Sequence, residues 1–274
     1  MRERSWASLV GTAVGDAYGE RVFRRQRGRE LSDPWRWTDD TEMACSVFHV
    51  LDTCGHIDPD ALAASFFTHY DIGRGYGAGV DGMMRWVEEG ESLRELAVRA
   101  FDGTGSWGNG GAMRVAPLGA WFTGDPARAA AEASVSALVT HTHPEGVAGA
   151  VATAVAAAVE PDVLFDEVLR HTPPSQVRDG VEKAAAMRGA DPTEAAERLG
   201  NGRQVSAPDT VPLALWVVAR HPDDYAAAIQ TVAPIAWDID TLCAIVGGII
   251  AARVGEEGIP LDWRQAVEPL PSWV

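Results

Sequence analysis

The chain has 274 residues, 39 Asp and Glu against 23 Lys and Arg, a net charge of −16 and 46% hydrophobic side chains. That length buries a substantial core, and the acidic balance argues against general affinity for nucleic acid or for anionic membrane surfaces. Cys45, Cys54 and Cys243 are odd in number and lack C-x-x-C spacing, which points away from a disulfide framework or a zinc site and towards a reducing cytoplasm.

At the N-terminus Arg2 and Arg4 precede an apolar stretch, but Asp16 and Glu20 follow and no A-x-A cleavage site is present, so this is not read as a signal peptide. Asp16, just after Gly15, either supports metal ligands from behind or makes a structural hydrogen bond at a helix end, and the structural role is favoured. The run Trp37-Thr38-Asp39-Asp40-Thr41 comes next, at the head of an apolar helix-like stretch. Asp58-Pro59 then places a capping aspartate before a proline at the first helical position, as do Asp125-Pro126 and Asp191-Pro192; Asp191 with Glu194 adds a capping-box pair.

Two glycine-rich stretches interrupt the helical pattern, at 73–79 and at 103–111. Glycine at this density lets backbone N–H groups approach a ligand. The second stretch leads into Ala112-Met113-Arg114-Val115-Ala116-Pro117-Leu118, which reads as a helix start able to hold a phosphate. Neither stretch carries a Walker lysine or follows a strand. Arg114 is expected either at a ligand phosphate or beside the acidic runs; Arg74 and Tyr76 either pack in the core or line a pocket. His143 reads as structural.

Segments 129–139, 148–159 and 242–254 are apolar nearly all round, as buried helices are. The longest apolar runs fall short of the ~18–20 residues that cross a bilayer, and a soluble protein is expected. No alternating β-branched strand stands out, so the fold is predicted to be all-α, a compact helical bundle forming one domain over residues 1–274.

A second acidic run, Asp238-Ile239-Asp240-Thr241, heads the last apolar helix. Each run alone suits capping. Yet a cap needs one oxygen, and adjacent carboxylates repel unless a cation neutralises them. Without His or Cys the ligands are all oxygen, which favours Mg²⁺, Mn²⁺ or Ca²⁺, and four carboxylates favour two ions about 3.5–4 Å apart.

The segments 11–19 (GTAVGDAYG), 37–43 (WTDDTEM), 74–80 (RGYGAGV), 105–118 (GSWGNGGAMRVAPL), 140–148 (THTHPEGVA) and 237–241 (WDIDT) resemble, in order and spacing, the ADP-ribosylglycohydrolase family. The resemblance implies an all-α orthogonal bundle and a magnesium-dependent hydrolase cleaving the glycosidic bond between ADP-ribose and a protein side chain or small molecule. It implies metal ligands at Thr38, Asp39, Asp40, Asp238, Asp240 and Thr241, with two Mg²⁺ expected and Mn²⁺ as the alternative, and Asp39 or Asp40 as the catalytic base. Gly77, Ser106, Gly108 and Asn109 would surround the diphosphate, His141 would lie near the adenosine half, and Trp107 would line the pocket or stack on adenine. The partner is an ADP-ribose-containing substrate, such as an ADP-ribosylated protein, and a monomer is expected.

Two positions depart from the family pattern. Phe23 stands where a glutamate is usual, with Glu20 three residues earlier, and Ala236-Trp237 replace Gly-Gly before Asp238. Two other readings therefore stand beside the hydrolase: an enzyme for a different ribosyl bond, and a catalytically silent ADP-ribose-binding protein.

Overall fold

A computed structural model describes residues 1–274 as helices joined by loops, with only two isolated bridges, Trp35 to Val267 and Gly108 to Ser206, and no sheet. The first six helices are α1 (Arg2–Gln26), α2 (Asp39–Cys54), α3 (Pro59–His69), α4 (Ala78–Glu88), α5 (Leu93–Arg99) and α6 (Ala116–Trp121). The next five are α7 (Pro126–Leu138), α8 (Pro144–Ala158), α9 (Leu164–His171), α10 (Gln176–Ala186) and α11 (Pro192–Leu199). The last four are α12 (Ala207–Arg220), α13 (Tyr225–Val232), α14 (Ile239–Val254) and α15 (Leu261–Ala266). No helix is long and apolar enough to cross a membrane.

The local start signals act as expected. Asp58 accepts from the N–H groups of Asp60 and Ala61, Asp125 from Arg128 and Asp191 from Thr193, each before a proline in the first turn. The capping box at α11 is not formed: Asp191 accepts from the N–H of Thr193, not of Glu194, and Glu194 pairs with Arg198 instead of reaching back.

Burial all round holds for α8 and α14 but not for α7, which buries Ala129, Glu132, Ala133, Ser136 and Ala137 and exposes Leu138. Alanine lowers the contrast between helix faces, so an amphipathic helix reads as uniformly apolar. A second correction concerns the glycine-rich stretch 103–111. The helix after it begins at Ala116, because Pro117 fixes the first turn, and a short turn at Asn109–Gly111 intervenes. The stretch that does enter a helix is 73–79, with Gly77 as the N-cap of α4.

The packing of α1 on α14 positions the site. Gly11, Gly15 and Gly19 recur every four residues and form one stripe on α1. A Cβ on Gly15 would lie 2.2 Å from the Cys243 carbonyl oxygen, and one on Gly19 would lie 2.6 Å from the Asp240 Cα. The two backbones touch, which sets Asp16 beside the start of α14. Gly15→Ala is therefore expected to lower stability by about 1–3 kcal/mol through overpacking, read as a lower urea midpoint with an unchanged slope.

Candidate functional site

Thr38 is the N-cap of α2 and Asp238 the N-cap of α14, yet neither side chain caps its own helix. The start of α2 is held instead by Asp16 from α1. Its Oδ2 accepts from the N–H of Thr38 at 2.8 Å, the N–H of Thr41 at 3.2 Å and the Thr41 hydroxyl at 2.5 Å, and its Oδ1 lies 2.9 Å from the Thr38 hydroxyl. Asp16 thus has the structural role expected of it. Relieved of capping, the carboxylates of Asp39, Asp40 and Asp238 are left to face one another and Asp240.

Asp16 and Asp40 are buried, while Asp39, Asp238 and Asp240 are half-buried at a cavity of about 400 Å³. Burial, then mutual repulsion, raises Asp39, Asp40 and Asp238 well above the ordinary carboxylate range; Asp240 is raised by burial and Asp16 is pushed up to about 7. Nearby arginines do not neutralise them. Arg24 pairs with Glu20 and Arg74 with Glu268.

The Thr38 hydroxyl lies between Asp16 Oδ1 and Asp40 Oδ2, the latter at 3.0 Å, and the Thr241 hydroxyl reaches the same Asp40 oxygen at 3.4 Å. Asp40 Oδ1 is buried without a partner. As the side chains stand, no three carboxylates are gathered as an ion gathers its ligands. The donor chemistry nevertheless fits a hard cation: oxygen atoms only, uncompensated negative charge, and one buried carboxylate oxygen with nothing to accept from.

The cavity brings together Asp39, Asp40, Gly77, Ser106, Trp107, Gly108, Asn109, His141, Asp238, Asp240 and Thr241. Thr38 lies behind them, lining a neighbouring cavity that shares Asp240 and Gly75. Asn109, anticipated beside a diphosphate, also braces the second acidic run, its amide donating to Asp238 Oδ2 at 2.7 Å and to the Thr210 hydroxyl at 3.1 Å. Spacing alone does not show that contact across the fold. Met113, Phe101, Gln204 and Val205 also line the cavity and carry no local sequence signal.

Arg114 meets neither expectation. It is fully buried, donating to the Ser136 carbonyl at 2.7 Å and the Thr140 hydroxyl at 2.9 Å, with its guanidinium 4.7 Å from the Phe66 ring centre. Burial pulls its pKa down to about 9. The Thr140 hydroxyl, which accepts from Arg114, also hydrogen-bonds His141 Nδ1 at 2.8 Å and so fixes the orientation of the ring. Burial and Arg114 lower His141 to about 3, so the ring stays neutral at physiological pH. Gly110 packs on this ring: a Cβ there would lie 2.8 Å from Cε1. His143 has the structural role expected of it, its ring accepting from the N–H of Glu145 at the start of α8. Arg74 stacks on Trp37 at 3.3 Å, and the Tyr76 hydroxyl donates to Glu42 at 2.6 Å.

Thr140→Val is expected to leave a buried guanidinium N–H unsatisfied, at about 1–3 kcal/mol, and to free the His141 ring. A lower urea midpoint with about tenfold weaker ADP-ribose binding by calorimetry is the expected pair of results; unchanged affinity would separate His141 from the ligand.

A more voluminous depression, about 740 Å³, runs beside α5 past Ser92, Glu95 and Leu138 and touches none of the carboxylates. The carboxylates border only the smaller cavities.

A profile described as ADP-ribosylglycohydrolase matches residues 1–274. The ADP-ribosylhydrolase ARH3 of Xenopus tropicalis is 28% identical, over 95% of this chain and 90% of that protein. The ADP-ribosylarginine hydrolase Tri1 of Pseudomonas putida is 25% identical, over 97% of this chain and 74% of its own. A solved structure titled ADP-ribosylglycohydrolase-related protein complex superposes with a TM-score of 0.66 at 23% identity, covering 97% of this chain and 93% of that one, a likeness of fold.

Proposed function

Since the chain belongs to the ADP-ribosylglycohydrolase family, we propose that it is a divalent-cation-dependent hydrolase that releases ADP-ribose from a modified protein side chain or small molecule. The observation that carries this reading is the group of four aspartates bordering a cavity, with Asp16 buried behind them and one carboxylate oxygen buried and unpartnered.

Asp39, Asp40, Asp238 and Asp240, with Thr38 and Thr241, would hold two cations, Mg²⁺ in preference to Mn²⁺. Bound there, the ions supply Lewis acidity and a more acidic water. The chain's own residues do the rest. The ADP-ribosyl group lies in the 400 Å³ cavity, a volume within the usual range for ligand sites. The backbone of Gly77 and of Ser106 to Asn109 faces the diphosphate, and Trp107 flanks the ligand. His141 presents the Nε2 edge of its neutral ring on the same wall.

Asp39, half-buried at the cavity, is the better placed base; Asp40 also borders the cavity but is almost wholly buried. The carboxylate accepts a proton from the attacking water as the water oxygen bonds to the anomeric carbon and the bond to the leaving nitrogen or oxygen breaks, the leaving atom taking up a proton. Such base assistance is worth about 10²–10⁴-fold. Asn109 holds Asp238 in place during this step. The free cysteines suit a reducing cytoplasm.

The test is release of free ADP-ribose from ADP-ribosylated protein in Mg²⁺ and in excess EDTA. Metal-dependent release is expected. Binding of ADP-ribose with no release from arginine, serine or small-molecule linkages would replace the hydrolase by a binding protein.

A further inference from the structure

The space around the aspartates continues past them. Beyond Asp240 and Gly75 a second cavity, of about 300 Å³, opens between the C-terminal end of α1 and the turn at 73–75. With ADP-ribose in the first chamber and the scissile bond at the carboxylates, the group on the far side of that bond faces the second.

That chamber is walled by Arg24, Arg29, Arg36 and Arg74, with Glu20 and Phe23. Glu20 pairs with Arg24 at 2.5 Å and Glu268 with Arg74, while Asp240, the other carboxylate in the wall, belongs to the proposed cation site. Arg29 and Arg36 are exposed and make no side-chain hydrogen bond or ion pair, which leaves the chamber a surplus of positive charge. The surplus is local. The chain carries −16 overall, yet the stretch 21–36 holds Arg21, Arg24, Arg25, Arg27, Arg29 and Arg36 against Glu30 and Asp33.

Phe23, one of the two departures from the family pattern, lines this chamber, and Trp237, the other, is linked to it through Arg27. The Arg27 guanidinium lies 4.5 Å from the Phe23 ring centre and 5.8 Å from that of Trp237, so one cation lies against both rings beside the acidic run.

We propose that this second chamber receives the leaving group, and that it selects leaving groups with negative charge, phosphate or carboxylate, close to the scissile bond. The proposal rests on the hydrolase reading. A guanidinium leaving group meets repulsion from Arg29 and Arg36 unless acidic neighbours accompany it, whereas a serine-linked group beside phosphate or carboxylate is drawn in.

The test uses four ADP-ribosylserine peptides that differ only beside the modified serine, carrying phosphoserine, two glutamates, two glutamines or two lysines. Two exposed cations contribute about tenfold in kcat/KM for the acidic peptides over the glutamine peptide, less at high salt. The phosphoserine and glutamate arms separate phosphate from carboxylate as the preferred charge. Arg29→Glu combined with Arg36→Glu is expected to reverse the order, with the lysine peptide first. Equal rates for all four peptides in the unaltered protein, or an order that survives the double charge reversal, would overturn the proposal. If no peptide is cut, serine-linked substrates are excluded, the hydrolase reading is decided by the release assay on the other linkages, and the same ratio is read as affinity by fluorescence anisotropy: about tenfold tighter acidic peptides uphold the charged chamber, and equal affinities reject it.

Discussion

Asp39→Ala is expected to lower kcat/KM for ADP-ribose release by about 10²–10⁴-fold, the usual worth of a general base, while Asp240→Asn lowers activity and raises the melting temperature of the chelated protein. The two effects of Asp240→Asn have one cause. Five carboxylates share a partly closed space with no arginine or lysine among their partners, and Asp39, Asp40 and Asp238 are each destabilised as anions by the charge on Asp240. An amide at 240 keeps the shape, still accepts the 3.0 Å bond from the Thr241 N–H, and removes one of the repelling charges. A relief of about 1 kcal/mol corresponds to a rise of about 2–4 °C for a chain of this size. Assay and melting curve on the same preparation check both. A variant that loses activity and also melts lower would mean that Asp240 serves the fold rather than the chemistry.

The second large effect is a pH dependence that a cation removes. Carboxyls raised in the folded state, Asp16 to about 7 from 3.8, bind more protons folded than unfolded at intermediate pH. By linkage, chelated protein then loses stability from this cluster as pH rises through that window, the opposite of an ordinary ion-paired aspartate. Saturating Mg²⁺ supplies the missing positive charge; at a hundredfold excess over its dissociation constant it adds about 2.7 kcal/mol. Urea midpoints at pH 5 and pH 7.5, each with Mg²⁺ and with EDTA, are expected to show a gap that widens at the higher pH. Groups far from the cluster, such as the N-cap Asp58, whose carboxyl is held below its usual range, cancel in that difference. A gap that narrows would mean that the aspartates do not hold the ion.

What was legible in the sequence was local. Asp58, Asp125 and Asp191 act on N–H groups two or three residues away, so their capping follows from adjacent letters. The two acidic runs stood out because each carries one carboxylate more than a helix cap needs. Asp16 could be sensed only as a helix-end group, since its partners Thr38 and Thr41 lie beyond the end of α1. Arg114 was misread because the choice between ligand and acidic cluster left out the carbonyl and hydroxyl that meet it in the core. The second chamber was invisible because it is a shape: its arginines can be counted along 21–36, but which of them lie unpaired beside Asp240 depends on how α1 ends.

The glycine stripe of α1 also orders events in time. Gly11, Gly15 and Gly19 meet a helix that begins more than two hundred residues later, and contacts of such separation require closure of nearly the whole chain. During synthesis the first acidic run emerges early and waits for α14, with Asp39 and Asp40 lacking the second half of their site until Asp238 and Asp240 have been made. A nascent or truncated chain ending before Asp238 is therefore expected to bind no substrate, and competence arrives together with completion of the fold.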